Sequence, residues 1–393
     1  MTNPKEDFPT VQTRVDVVLS SQNGIIDPDF SKRITALRFA LAVFVVFIHN
    51  SLANTIHFAD GDVIIEMPIW IQIIHDIVNR YWGGIAVPTF FIISGYLFFA
   101  KPKRLISTIK SKFKGIIIPY ILWTALSILL YYIAQSFEFS KPYFAQPENI
   151  VRNWNISDYF KSLWAWDTAV ETDPALHSPF VVPFWYVRDL IIVMLLAPII
   201  SFFAKKFPIG WLFFVTALNA AEILHITNIQ YGFTKALFYF SLGFYAVKSI
   251  NKIIVFLDSI KWRDFILAYL ISLVLTIYSS MNNLTGSDFV SWFNLLFTIC
   301  LAVKIAGVVN KNEKIFEKLT YLSGYSFWIF AAHLPFVLTV IKKLSVKIIP
   351  MHGIWILVQY FGVVIFCVSL LLITGIVLKK FFPKIFALFN GGR

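Results

Sequence analysis

Charge is what this sequence has least of. Only 14% of its 393 residues are Asp, Glu, Lys or Arg, where soluble domains average about a quarter. The acidic sign is the scarcer, with 22 Asp and Glu against 34 Lys and Arg. So few charges cannot clothe a water-exposed surface, which excludes a soluble globular protein. Cysteine is nearly missing as well: Cys300 and Cys367 both fall inside apolar segments, read as buried thiols and say nothing of redox compartment. No spacing of His, Cys and acids fits a metal, and Gly83-Gly84 is too little for a phosphate loop. Internal repeats, low-complexity tracts and a soluble domain are not legible either. The net charge of +12 does not point to nucleic acid, because the lysines fall in short loops between apolar segments.

What the chain does have is 58% hydrophobic residues, 41 of them Phe. The composition predicts an all-α integral membrane protein. Apolar segments of near-spanning length run at about 36–55, 82–100, 115–135, 186–204, 209–225, 232–249, 262–281, 289–309, 321–341 and 354–378, ten in all. Residues 1–33 read as a polar cytoplasmic segment that stays attached, 34–380 as the transmembrane domain and 381–393 as a cytoplasmic tail. Lysines and arginines such as Lys101, Lys103, Arg104, Lys205, Lys206, Lys252, Lys261, Lys311 and Lys379 follow the even-numbered segments, which predicts both termini in the cytoplasm. The loop with Lys342, Lys343 and Lys347 breaks that pattern. External loops are expected at 56–81 and 136–185. Trp154, Trp164 and Trp166 in the second serve equally as sugar-stacking platforms and as interfacial anchors.

The first apolar segment carries Arg33 and Arg38 at its start and His49 near its end. A helix turns ~100° and rises ~1.5 Å per residue, so Arg38 and His49 share one face and stand ~16 Å apart along the axis. A charge inside a span usually faces the bundle interior. Arg33 also fits a simple positive flank, and a lone membrane histidine also fits a helix-to-helix hydrogen bond.

The second segment reads Phe90-Phe91-Ile92-Ile93-Ser94-Gly95-Tyr96-Leu97. With the ten residues between Arg38 and His49, it resembles the membrane acyltransferase-3 family. Ser326, Phe327, Ile329 and His333 match a late family helix more loosely, and Phe184 to Val187 match a further element. The chain departs from the family at Ala36, where many members have Asp, and at Tyr186, Arg188 and Asp189, where many have Ser-Leu-x-x-Glu.

The resemblance implies transfer of an acetyl or similar short acyl group from cytoplasmic acetyl-CoA to a hydroxyl of an envelope glycan or its lipid-linked precursor. It also implies the inner membrane of a bacterium, a single-domain form and no metal. Imidazole suits proton removal from a hydroxyl at neutral pH, and His49 is the expected base. Arg38 and Arg33 are the expected ligands of coenzyme A phosphates. Ser94, Trp185, Tyr186, Arg188, Asp189 and His333 are the expected substrate contacts. Ser94-Gly95 also reads as a close-packing spot, and Arg188 with Asp189 as an interfacial ion pair. The competing class is a transporter without covalent chemistry, although no inverted repeat or paired broken helix is legible.

Overall fold

The computed structural model describes residues 26–392 except 53–54, 59–60, 101–104, 145–148, 165–177, 225 and 227–230. Side chains at 105–108, 110–114, 142 and 231 are not described either. The expected N-terminal segment up to residue 25, Lys101, Lys103, Arg104 and Trp166 lie outside the described residues.

The first helix, α1 (Pro28–His49), begins earlier than its apolar run because of its cap. Asp27 accepts the Phe30 amide at 2.8 Å and Pro28 occupies the first turn, where a missing N–H costs nothing. Ile34, Leu41, Ala42, Val45 and Val46 are buried almost completely, and the helix packs against six other helices.

A hairpin of β1 (Thr55–Phe58) and β2 (Gly61–Ile64) follows, with Ile56 opposite Val63. The chain then enters α2 (Ile69–Asp76), a wide turn at Ile77–Trp82, a tight one at Gly83–Ile85, and α3 (Ala86–Phe99). These run as one apolar helix of 31 residues, Ile69–Phe99. The expected loop 56–81 is therefore a hairpin plus the first half of a span, because Asn79 and Arg80 find partners on α1 and on Ser280.

α4 (Leu105–Ala134) leads to short α5 (Ile156–Trp164). The expected single span 186–204 is two helices, α6 (Trp185–Leu195) and α7 (Ala197–Lys206), bent by 58°. Pro198 lacks the N–H that would continue α6 and its ring crowds the preceding turn. Next come α8 (Pro208–Ile223), α9 (Tyr231–Ser259), α10 (Trp262–Met281) and α11 (Ser287–Val309). α12 (Glu313–Ser323) precedes a second broken span, α13 (Ser326–Ala332) and α14 (Leu338–Ile348), interrupted at Leu334, which is extended (φ −122°, ψ 155°) ahead of Pro335. A residue before proline is driven out of the helical region. α15 (Trp355–Phe381) and α16 (Pro383–Phe389) complete the chain, and α16 docks on α4 through the Trp123 Nε1 bond to the Phe389 carbonyl at 2.9 Å.

The protein is a multi-pass membrane protein. Among the described residues, seven helices are long and apolar enough to cross a membrane, or eight if α6 and α7 count as one span. α8 has only 16 residues, and every 18-residue stretch of α1 contains Lys32, Arg33 and Arg38, so neither meets that description on composition and length alone. Side chains such as Phe213, Phe256, Val274 and Ile365 are more than 60% exposed, as lipid-facing positions are. α3 and α9 touch backbone to backbone: a Cβ on Gly95 would lie 2.3 Å from the Phe240 carbonyl oxygen, and one on Gly243 would lie 2.5 Å from that of Ile92. Only glycine permits that approach.

Candidate active site

His49 closes the last turn of α1, and its neighbours hold that turn in place. Asn79 Nδ2 donates to the carbonyls of Phe47 (2.9 Å) and Ile48 (3.2 Å), two of the groups a helix end leaves without partners. Asn50 Nδ2 donates to the Tyr360 carbonyl at 2.9 Å. Just beyond, the Leu52 amide donates to His75 Nε2 at 3.2 Å, which leaves His75 Nδ1 as the donor to Asp76 at 3.1 Å.

The break at Leu334 brings a second imidazole to this point. His333 is fully buried, and its ring centroid lies 5.3 Å from that of His49. Its Nδ1 donates to the Ile329 carbonyl at 3.1 Å, which leaves Nε2 with a lone pair and no partner among the described residues. His49 is half-buried and forms part of the wall of a cavity of about 970 Å³, at the large end of the ~300–1,000 Å³ typical of ligand sites. Leu334, Pro335 and Phe336 from the broken helix, Tyr131 and Phe137 from α4 and beyond, and Phe58 of the hairpin also line it. Tyr131 donates to the Pro335 carbonyl at 3.4 Å and so ties α4 to the break.

The other expected residues divide. Ser94 and Tyr186 meet, with their hydroxyl oxygens 3.3 Å apart. Tyr186 packs on Phe330 (ring centroids 5.8 Å), and Phe330 on His333 (6.4 Å), so a continuous aromatic path joins the Ser94 pair to the two histidines. Trp185 packs beside this path, 6.4 Å from Phe91. Arg38 is half-buried on the same helix as His49, eleven residues earlier.

Arg33 is held by carboxylates of the protein itself. Its Nε donates to Asp29 (2.8 Å) and its two Nη groups to Asp258, while Nη1 also reaches the Val303 carbonyl at 3.0 Å. Four of its five donors are spent on tying α1 to α9 and α11. Arg188 and Asp189 follow the ion-pair alternative in their geometry. They form a sealed pair at 2.8 Å, 3% and 1% exposed, with Arg188 Nη1 also donating to the Trp164 carbonyl at 2.8 Å. Both side chains lie in the protein interior. Asn79, Tyr131 and Phe330 were not singled out from sequence; an amide in an apolar run is the one signal that pointed to any of them.

One imidazole at the wall of a ligand-sized cavity, backed by a second that is buried behind it, at the end of a helix that carries an arginine three turns earlier, can furnish a group-transfer site. A family model described as an acyltransferase domain matches residues 31–374, and the chain belongs to that family, the membrane acyltransferase-3 family. The protein is therefore a membrane acyltransferase. Among curated proteins it is similar to the succinoglycan biosynthesis protein ExoH of Rhizobium meliloti (strain 1021), at 25% identity over 94% of this chain and 94% of that protein. No solved structure matches it.

Proposed function

We propose that the protein moves an acetyl or similar short acyl group from cytoplasmic acyl-CoA to a hydroxyl of a cell-envelope polysaccharide or its lipid-linked precursor, in the inner membrane of a bacterium. The observation that carries the reading is His49 at the wall of the cavity with the buried His333 ring packed 5.3 Å behind it in a member of an acyltransferase family. The name of the similar protein, which places it in polysaccharide biosynthesis, supports a glycan acceptor.

His49 takes the proton of the acceptor hydroxyl as that oxygen attacks the thioester carbonyl. The carbon–sulfur bond then breaks and the departing thiolate takes the proton back from the imidazolium, giving an ester and free coenzyme A thiol. His333 Nε2 supplies the second acceptor beside the reacting atoms. Arg38 holds the donor's phosphates at the cytoplasmic side; with Arg33 occupied, it does so without that neighbour. The ~16 Å of helix between Arg38 and His49 is spanned by the extended pantetheine arm, along the path of Ser94, Tyr186 and Phe330. The charged nucleotide never crosses the bilayer. The test is the acyl content of the envelope glycan in strains carrying the wild type, no gene or His49→Ala. The substituted strain should match the deletion at equal protein level, and unchanged acylation would remove His49 from the chemistry.

A further inference from the structure

Proton removal at His49 is half of what an acyl transfer requires. As an alcohol oxygen attacks a thioester, an electron pair of the carbonyl moves onto its oxygen, and a donor fixed where that charge develops is the largest single aid a site can give. Neither histidine supplies it. His49 takes the proton, and the buried His333 presents Nε2 as an acceptor with no partner among the described residues.

The broken helix that sets His333 behind His49 continues as α14, and Lys342 of α14 returns to the same place from the cavity side. Lys342 lines the cavity with His49, and its Nζ donates to the Ser51 carbonyl at 2.6 Å. Ser51 follows His49 by two residues, so their Cα atoms lie within ~7 Å of each other. That one bond aims the ammonium and leaves it two N–H donors for a ligand. No carboxylate pairs with Lys342 among the described residues; Asp62, the acid among the cavity's lining residues, pairs with His57 at 3.0 Å. A charge held by a neutral carbonyl beside apolar walls such as Leu130, Phe137 and Phe336 acts across a low dielectric, where it counts for several times its worth in water. Lys343 also lines the cavity but is aimed elsewhere. One residue on is ~100° round the helix, and its Nζ donates to the Tyr143 carbonyl at 2.6 Å and stands 5.3 Å from the Phe58 ring.

We propose that Lys342 is a catalytic residue of the acyl transfer, the group that stabilises the oxyanion. The inference rests on the acyltransferase reading and adds a second working side chain to it. As the bond from the acceptor oxygen to the carbonyl carbon forms, an electron pair of the carbonyl passes to its oxygen, which accepts from the two remaining N–H groups of Lys342. When that pair returns, the carbon–sulfur bond breaks and the thiolate leaves with the proton held by His49. The ammonium keeps its own protons throughout.

The test uses detergent-opened membranes that carry the full-length chain and their own envelope glycan, with radiolabelled acetyl-CoA as donor. Lys342→Met should lower kcat by about 10²-fold or more, the usual cost of removing one oxyanion donor, with the KM for acetyl-CoA within about twofold. Lys342→Gln, a second neutral variant, should match it at the unfolding temperature of the wild type, and Lys342→Arg should recover at least about a tenth of the rate. Lys343→Met, which removes a charge aimed elsewhere, should leave kcat unchanged. Two ketones that cannot be cleaved separate catalysis from support: acetonyl-CoA, and trifluoroacetonyl-CoA, whose carbonyl takes up water to give a tetrahedral, easily ionised adduct. The wild type should bind the fluorinated ketone about tenfold or more tighter, and Lys342→Met should erase that preference. A kcat unmoved by Lys342→Met overturns the proposal, as does a lowered kcat with the preference intact, the mark of a lysine that only props the chain. Loss of transfer in His49→Ala with full transfer in Lys342→Met sinks the role of Lys342 and keeps the acyltransferase. A wild type that puts no acetyl on the glycan sinks both.

Discussion

Replacing Gly307 tests the assignment of Arg33 as a tether without touching a charge. A Cβ at Gly307 would stand 2.2 Å from Arg33 Nη1, 2.4 Å from Cζ and 2.7 Å from Nη2, so Gly307→Ala expels the guanidinium from its seat. What is lost can be estimated. Asp29 and Asp258 are half-exposed, 51% and 45%, so each pair is worth ~0.2–1 kcal/mol and its acid rehydrates when abandoned. The bond to the Val303 carbonyl adds ~1 kcal/mol, and the displaced stem adds a packing term of ~1 kcal/mol. Gly307→Ala and Arg33→Ala should therefore each destabilise the protein by ~2–4 kcal/mol. The KM for acyl-CoA should stay within about twofold, a change of ~0.4 kcal/mol. Chemical unfolding in micelles and acyl-transfer kinetics on the same preparations make the measurement. Asp258→Asn sharpens it, since an Arg33 that served the donor's phosphates would be freed by that change and would lower the KM. An Arg33→Gln protein of wild-type stability with a tenfold higher KM refutes the tether.

The crossing of α3 and α9 should be equally intolerant: Gly95→Ala or Gly243→Ala meets backbone atoms that cannot rotate away, at a cost of ~1–3 kcal/mol, while Gly362→Ala, with nothing within 4 Å of the added Cβ, should unfold like the wild type. His333→Asn should preserve protein level and acyl-CoA binding yet lower kcat by about 10²-fold, the lower end of what an acid–base group supplies; full activity in that variant would leave His333 a purely structural residue. Arg188→Lys should lose the contacts to Asp189 and the Trp164 carbonyl together and destabilise by ~1–3 kcal/mol, measured by unfolding, with acceptor KM unmoved.

The membrane class was written in composition, because scarcity of charge leaves no other solvent for the surface. The helix boundaries were less legible, and α1 shows why: apolar content begins near Ala36, but the helix is nucleated by Asp27 and Pro28, polar residues that hydropathy ignores. Asn79 and Arg80 likewise look like loop residues until their partners on α1 and α10 are visible. The breaks after α6 and α13 were marked by Pro198 and Pro335, and a count of apolar residues passes over both. Within the site, the shared face of Arg38 and His49 follows from helix geometry alone. The meeting of His49 with His333 does not, since it depends on where α13 is interrupted and on α1 packing against it. Arg33 and the Arg188–Asp189 pair show the limit of sequence: a charge in an apolar run marks a partner, and sequence does not say whether that partner is a substrate, a neighbouring carboxylate such as Asp189, or one eight helices away such as Asp258.

Asn79 carries the remaining prediction, because it distinguishes a helix end that is merely present from one that is aimed. Its side-chain nitrogen serves the Phe47 and Ile48 carbonyls, the two residues directly before His49, and does not touch the cavity wall. Asn79→Leu keeps the volume and removes the donor. Each bond contributes ~0.5–1.5 kcal/mol, so the last turn of α1 should fray at a total cost of ~1–3 kcal/mol while the rest of the bundle stays closed. A frayed turn leaves the imidazole sampling positions away from the acceptor hydroxyl, and misplacement of ~1 Å can cost about 10²-fold in rate. The expected signature is a fall in kcat of about tenfold or more with the KM for acyl-CoA unchanged, since the proposed donor contact at Arg38 lies three turns away. Asn79→Asp, which keeps an acceptor and loses the donor, should behave like Leu, whereas a residue needed only for packing would tolerate Leu. A KM change without a kcat change would place Asn79 on the donor's path and detach it from the aim of His49.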